Sequence, residues 1–386
     1  MQNYRFDCSS EEVTNRFLWY LSNMEAIGIG QRFRKNKLAL AGGLFILGTF
    51  LVACFAYLLA PDQTQYADLQ TVEIQARPPG YRQLFFREPE LYTEPSWSSR
   101  LEAAFWGIKQ KPRLLPVHGY TVHGDSLILN LWVDEGAGKQ QYYSLHALQQ
   151  IQPGSVTDFF ITRRYWLGTD KFGRDVLSRL LIGARVSLGV GCIAVFISLL
   201  LGLFLGAFAG FYRGKTDNLI QWLLNVTWSI PTLLLAFAFT LALGKGFWQI
   251  FVAVGLTMWV PVARLIRGQV MALKQQEFVL AARALGFSDF RILFRHILPN
   301  CMGPLMVLLA GNFASAIIVE AGLSFLGIGI QPPQPSWGLM MKEHYNFLIT
   351  HQPFLALIPG MAIMLLVLAF NLVGNGIRDA LDVKSN

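Results

Sequence analysis

The sequence predicts an all-α polytopic membrane protein with six transmembrane helices and a small β-containing extracytoplasmic insert. Three observations predict it. Apolar residues, 53% of the 386, gather in long runs rather than in short alternating patterns. Those runs approach or exceed the roughly 20 residues a helix needs to cross about 30 Å of hydrocarbon. Basic residues cluster at alternate ends of the runs, as expected of cytoplasmic flanks. The net charge of +8 is read as these cytoplasmic flanks, which need neither nucleic acid nor anionic lipid as a partner; membrane lipid surrounds the spans. No base-stacking motif or continuous basic arm points to nucleic acid.

Residues 1–37 are expected to form a polar cytoplasmic segment with a short helix around Glu11 to Leu21, ending in Arg32, Arg34, Lys35 and Lys37. The first apolar run, 38–60, is too long for a signal-peptide core and lacks a small-residue cleavage site, so it reads as a retained span. Pro61 and Asp62 close it. With the N-terminus inside, residues 61–166 face the outside. Within them YTVHGDSLILNLWV offers two strand-like runs about Gly124-Asp125, a two-residue hairpin signal. Two roles stand for this insert: contact with a solute-binding protein, or a stabilising cap. None of Cys8, Cys54, Cys192 and Cys301 falls in it, so no disulfide framework is expected. Their spacing fits no zinc site. No catalytic, cofactor-binding or metal-ligating set is read anywhere in the chain.

The segment LGTDKFGRDVLSRLLIGARVSLGVG, Leu167 to Gly191, has one apolar face (Val176, Leu177, Leu180, Leu181, Ala184), with Asp175 and Arg179 as an i, i+4 pair on the other. It reads as an interfacial helix lying along the outer surface before the second span, about 187–209. AGFYRGKT at the end of that span nearly spells a phosphate-binding loop. However, Ala209 replaces its first glycine and a membrane helix precedes it, so nucleotide binding is rejected. Span three, about 219–243, contains Pro231 as an expected kink. Span four covers about 248–266, with Arg264 and Arg267 at its inner end. Span five, about 302–325, carries Asn312 and Glu320. An acid at this depth marks either a translocation path or a satisfied group near the outer end. After the turn-rich stretch 331–341, span six covers about 354–373, and both termini are cytoplasmic. Gly202, Gly206, Gly210 and Gly311 permit close helix packing.

The stretch EFVLAARALGFSDFRILFRHILPN, 277–300, sits between spans four and five. Phe278, Ala281, Ala282 and Leu285 make one i, i+3, i+4, i+7 stripe, and Phe290, Leu293, Phe294 and Ile297 make another. Gly286 separates them because it tolerates positive φ. Ser288 is placed to cap the second helix, and Pro299 to limit it. The expectation is a helix–turn–helix offering an apolar face ringed by Arg283, Arg291 and Arg295. Such a face suits either docking in a partner's groove or resting on the membrane surface.

Ala281, Ala282, Gly286, Ile297, Leu298 and Pro299 resemble the A-A-x-x-x-G…I-x-L-P pattern of the coupling loop in ABC-importer permeases. Leu280 stands where that pattern places Glu, and the nearest acid is Glu277. LGTDKFGRDVLSR is similar to a second signature, that of the C-type permeases of dipeptide, oligopeptide and nickel importers. The resemblance implies the type I importer permease fold over 167–386, with the first span as a peripheral addition. It also implies a second permease subunit, two ATPase subunits and an extracytoplasmic solute-binding protein. ATP and Mg would be bound by the ATPase subunits and not by this chain. Glu277, Arg283 and Arg291 would supply polar contacts to the ATPase, with Ala281, Ala282 and Gly286 allowing the close fit. Peptides are the implied cargo. Open alternatives are nickel or another small solute, a self-sufficient secondary transporter or channel, and a membrane-anchored interaction protein acting through its insert.

Overall fold

A long helix, α2 (Val176–Tyr212), is the axis on which the other elements pack. At 1.5 Å per residue its 37 residues extend about 55 Å, more than the hydrocarbon alone requires. The computed structural model describes residues 30–89, 97–109, 113–133, 138–244, 246–349 and 352–381. The expected helix around Glu11 to Leu21 and Cys8 lie outside the described residues. The described cysteines, Cys54, Cys192 and Cys301, are free thiols.

The first span, α1 (Lys37–Cys54), starts where Asn36 Oδ1 accepts from the Ala39 amide at 3.1 Å. Most of its surface faces outward, and its seam runs along the last helix, α10 (Phe354–Leu381). A Cβ at Gly42 would stand 2.8 Å from the Ala369 carbonyl oxygen, so only glycine allows this approach. A short turn, Ala56–Leu59, then leads into the insert.

The insert holds a five-stranded antiparallel sheet of β1 (Tyr81–Arg87), β2 (Leu114–His123), β3 (Ser126–Leu131), β4 (Gln140–Ser144) and β5 (Phe160–Tyr165). The spatial order is β4-β3-β2-β1-β5. The hairpin expected at Gly124-Asp125 is present: His123 pairs with Ser126, and Gly124 takes φ +60°. Phe86, Val117, Leu127, Leu129, Leu145, Leu148 and Phe159 form the core of this small domain.

Several expectations are corrected in the membrane region. No separate interfacial helix precedes the second span, because Val176 to Tyr212 is one unbroken helix. Its first turns bury Val176, Ser178, Arg179 and Ile182 inside the protein instead of laying a face on lipid. Asp175 does not pair with Arg179. It caps α2, accepting from the Ser178 amide at 2.9 Å and from the Ser178 hydroxyl. Pro231 does more than kink the third span. It separates α3 (Gly214–Trp228) from α4 (Thr232–Leu243), and the two lie 96° apart. Proline lacks an amide donor and disfavours helix at the preceding residue, so the ladder breaks here. The fourth span, Phe247–Leu273, is interrupted at Met258 between α5 (Phe247–Thr257) and α6 (Trp259–Leu273) but keeps its course and still serves as one span. Among the described residues five helices are long and apolar enough to cross a membrane, or six when the bent pair counts as one span.

Close approach of α2 and α6 sets the centre of the bundle. A Cβ on Gly202 would come within 2.4 Å of Val262 Cβ, and one on Gly206 within 2.4 Å of the Ala263 carbonyl oxygen. Gly210 is similarly placed, 2.7 Å from the Arg267 carbonyl oxygen, whereas nothing lies within 4 Å at Gly311. The near-phosphate-loop sequence falls at the end of α2 and the start of α3, with Arg213 at φ +56° between them and no strand before it.

Candidate functional site

The loop between α6 and the fifth span begins with α7 (Glu277–Ala284). Gly286 ends it at φ +78°, with the Gly286 amide donating to Arg283 O at 3.0 Å and the Phe287 amide to Ala282 O at 3.2 Å. This pair of bonds is a Schellman motif, which needs a left-handed residue where glycine stands. Ser288 then caps the next turn, its Oγ accepting from the Arg291 amide at 3.4 Å.

Beyond Ser288 the structure departs from a helix–turn–helix. Asp289–Arg291 passes through a π-helical stretch, Ile292–Ile297, and a 3₁₀ turn, Leu298–Cys301, directly into α8 (Met302–Phe325). Pro299 therefore does not limit the helix. It removes one donor, and the ladder shifts register around it.

The two expected stripes are divided between inside and outside. Ala282, Leu293 and Ile297, joined by Val279, pack with Phe211, Ile266 and Val270 from α2 and α6. Leu285 (74% exposed), Phe290 (66%), Leu280 (55%) and Phe278 (42%) face outward. Glu277, Ala281 and Pro299 are exposed as well. Arg283 lies 3.7 Å from Asp289, and Arg291 stacks over the Phe287 ring at 4.4 Å. Lys274 supports the loop from behind by donating to the Phe211 carbonyl. Burial, with Arg283 and Arg213 nearby, holds its ammonium below the usual lysine range.

Asn312 and Glu320 do not join this loop or each other. Asn312 is buried, its Nδ2 donating to Met258 O at 3.4 Å, and Met258 lies where the fourth span breaks. Glu320 is fully buried near the far end of α8, with Ser324 Oγ donating to its Oε1 at 2.7 Å. The short helix α9 (Trp337–His344) covers it, and a Cβ at Gly338 would stand 2.6 Å from Ala321 Cα.

One cluster escapes sequence reasoning. Asp170 Oδ2 accepts from Arg174 Nε at 2.6 Å, and Glu343 Oε2 accepts from Arg174 Nη2 at 2.8 Å and Arg179 Nη2 at 3.0 Å. Asp68 lies 3.4 Å from Arg174, and His344 3.9 Å from Asp170. The cluster accounts for the glycine-rich signature around it. Gly168 (φ +79°) and Gly173 (φ +72°) pass so close to Arg77 O and Thr71 O that no side chain fits. Thr169 Oγ1 donates to Ile74 O at 2.6 Å, and Asp170 Oδ1 accepts from the Phe172 and Arg174 amides. Donor atoms of Asp170, Glu343 and His344 lie within 4.8 Å of one another. Arg174 and Arg179 already hold Asp170 Oδ2 and Glu343 Oε2, so the donor set is an ion-pair network and a poor cradle for a metal cation. The i, i+4 spacing of Asp170 and Arg174 is the available signal; Glu343 is too distant in sequence to be inferred.

Residues 202–385 match the family described as "Binding-protein-dependent transport system inner membrane component". Residues 29–79 match the N-terminal transmembrane domain of oligopeptide transport permease C. The glutathione transport system permease protein GsiD of Escherichia coli is 46% identical over 221 residues, covering 57% of this chain and 73% of that protein. The protein of that name from Pectobacterium atrosepticum is 43% identical over 220 residues, again 57% and 73%. Among solved structures, an inward-facing MetNI methionine ABC transporter is similar over 52% of this chain and 96% of that one, at 17% identity and a TM-score of 0.42. The chain belongs to the inner-membrane permease components of binding-protein-dependent transport systems. It is an ABC importer permease subunit.

Proposed function

We propose that this subunit imports peptides, using ATP and Mg bound by two separate ATPase subunits that grip the loop at 277–300. A second permease subunit would complete the pathway, and an extracytoplasmic solute-binding protein would deliver the cargo. Both termini and the loop would lie in the cytoplasm. The observation that carries this reading is the outward-facing apolar set of Phe278, Leu280, Leu285 and Phe290 on a backbone fixed by the Gly286 turn. Exposed apolar side chains rimmed by Glu277, Arg283 and Arg291 suit a helix seated in a partner's groove. The inward anchors Val279, Ala282, Leu293 and Ile297 would pass the partner's movement to α2 and α6 as a rigid-body swing.

The relatives named for glutathione support a peptide cargo, because glutathione is itself a small peptide. Asn312 and Glu320 are the residues we assign to the neighbourhood of the pathway, through the helix breaks and turns they stabilise. Replacing both Leu285 and Phe290 with Asp tests the reading. Copurification of an ATPase and ATP-driven peptide uptake should be lost while the thermal melt of the subunit is unchanged. Uptake that persists without a bound ATPase would reject it.

A further inference from the structure

A second apolar surface lies at the opposite end of the bundle, on the insert. Residues Trp97–Trp106 form a helix outside the sheet. Ala103 and Ala104 are half-buried on its inner side. Trp97 (77% exposed), Phe105 and Trp106 (61%) point away from the protein. Two tryptophans and a phenylalanine on one short helix are a large apolar exposure for a domain surrounded by water.

The end of this helix is fastened to the exit of the first span. The Ile108 amide donates to Gln63 O at 2.8 Å, and the Gln65 amide to Ile108 O at 3.1 Å. Gly107, at φ +78°, lies so close to Tyr57 and Gln65 that a Cβ would fall within 2.7 Å of both. From α2, Arg185 donates to the Phe105 carbonyl and places its guanidinium 4.9 Å over the Trp106 ring and 5.6 Å from that of Tyr57. Phe55, Leu58 and Leu59 at the end of the first span are also exposed, and the turn Ala56–Leu59 packs against helix 97–106, so the exposed apolar surface passes from the span to the helix that touches it. That continuity identifies the occupant. The first span faces acyl chains, and tryptophan beside arginine at the end of a span belongs at headgroup level.

We propose that helix 97–106 lies in the headgroup region of the leaflet on the insert side, with Phe105 toward the acyl chains and phospholipid headgroups around Trp97, Trp106 and Arg185. The insert is thereby seated on the membrane by two attachments, the first span and this helix. The sheet's position over the bundle is then set by the bilayer as well as by protein contacts.

The test uses the full chain in phospholipid nanodiscs, with its native cysteines replaced by serine and a spin label at Phe105→Cys or Trp106→Cys. Collision rates with oxygen and with a water-soluble nickel chelate are compared with labels at Leu58→Cys, on the first span, and Val122→Cys, on the exposed strand β2. The expected result is an oxygen-to-nickel collision ratio several-fold above that of Val122→Cys and close to that of Leu58→Cys. A ratio matching Val122→Cys would mean a solvated helix, and shielding from both reagents would mean a protein partner; either overturns the proposal. Two label sites guard against local misfolding, because Phe105 and Trp106 make different contacts. Adding ATPase or binding protein should leave both ratios unchanged.

Discussion

Arg179 and Glu343 meet at 3.0 Å through Nη2 and Oε2 across 164 positions of sequence, with side chains 0% and 9% exposed. The contact fastens α9 to the start of α2. Removing one partner strands a charge in a buried site, at a cost of about 3–5 kcal/mol. Glu343→Ala should therefore lower the melting temperature of the detergent-solubilised protein sharply. Lys109→Ala, which removes only the surface pair with Glu102, should leave it unchanged. Equal melts for the two variants would remove the argument.

His344 gives the same region a pH dependence. Burial holds its imidazole below the ordinary histidine range; Asp170 and Glu343 act in the opposite direction, and Arg179 with the burial. The folded state thus resists protonation more than the unfolded chain, which takes up a proton below about pH 6.5. Stability from this group is complete above that pH and declines as pH falls below it. Melting temperatures measured against pH should show a shallower acid slope for His344→Gln than for the parent.

Steric contact across α2 and α6 makes a simple prediction about glycine. Gly206→Ala forces a methyl to within 2.4 Å of the Ala263 carbonyl oxygen, and overpacking of this kind costs about 1–3 kcal/mol. Gly189→Ala, on the same helix with nothing within 4 Å, should be tolerated. Chemical denaturation in detergent would separate them.

At Gly286 the constraint is backbone conformation, since a methyl added there would meet no atom within 4 Å. A non-glycine residue in this left-handed turn costs about 1–2 kcal/mol, less for Asn. Gly286→Asp is expected to insert into the membrane normally, because there is room for it, yet to uncouple transport by placing a charge beside Leu285. Gly286→Asn should retain more uptake than Gly286→Val. Normal ATP-driven uptake by Gly286→Asp would count against the coupling role.

Legibility follows the range of the interactions. The insert's hairpin is readable because Gly124-Asp125 is a local turn signal, and the Gly286 turn is readable for the same reason. The stripes about Gly286 mislead in part because two faces of one loop are both apolar, and periodicity does not say which meets the protein. Spacing alone pairs Asp175 with Arg179. In the fold, capping of α2 at Ser178 claims the first and the distant Glu343 claims the second.

By itself the sequence determined membrane residence, the position of the insert, the loop at 277–300 and the permease family, because long apolar runs and short motifs act locally. Only the tertiary structure decided that α2 is unbroken and that Pro231 turns the chain by 96°. It also decided that Asp170, Arg174, Arg179 and Glu343 share one buried site. Helix continuity and ion pairing depend on which surfaces meet across the bundle, and burial by those surfaces outweighs local propensity.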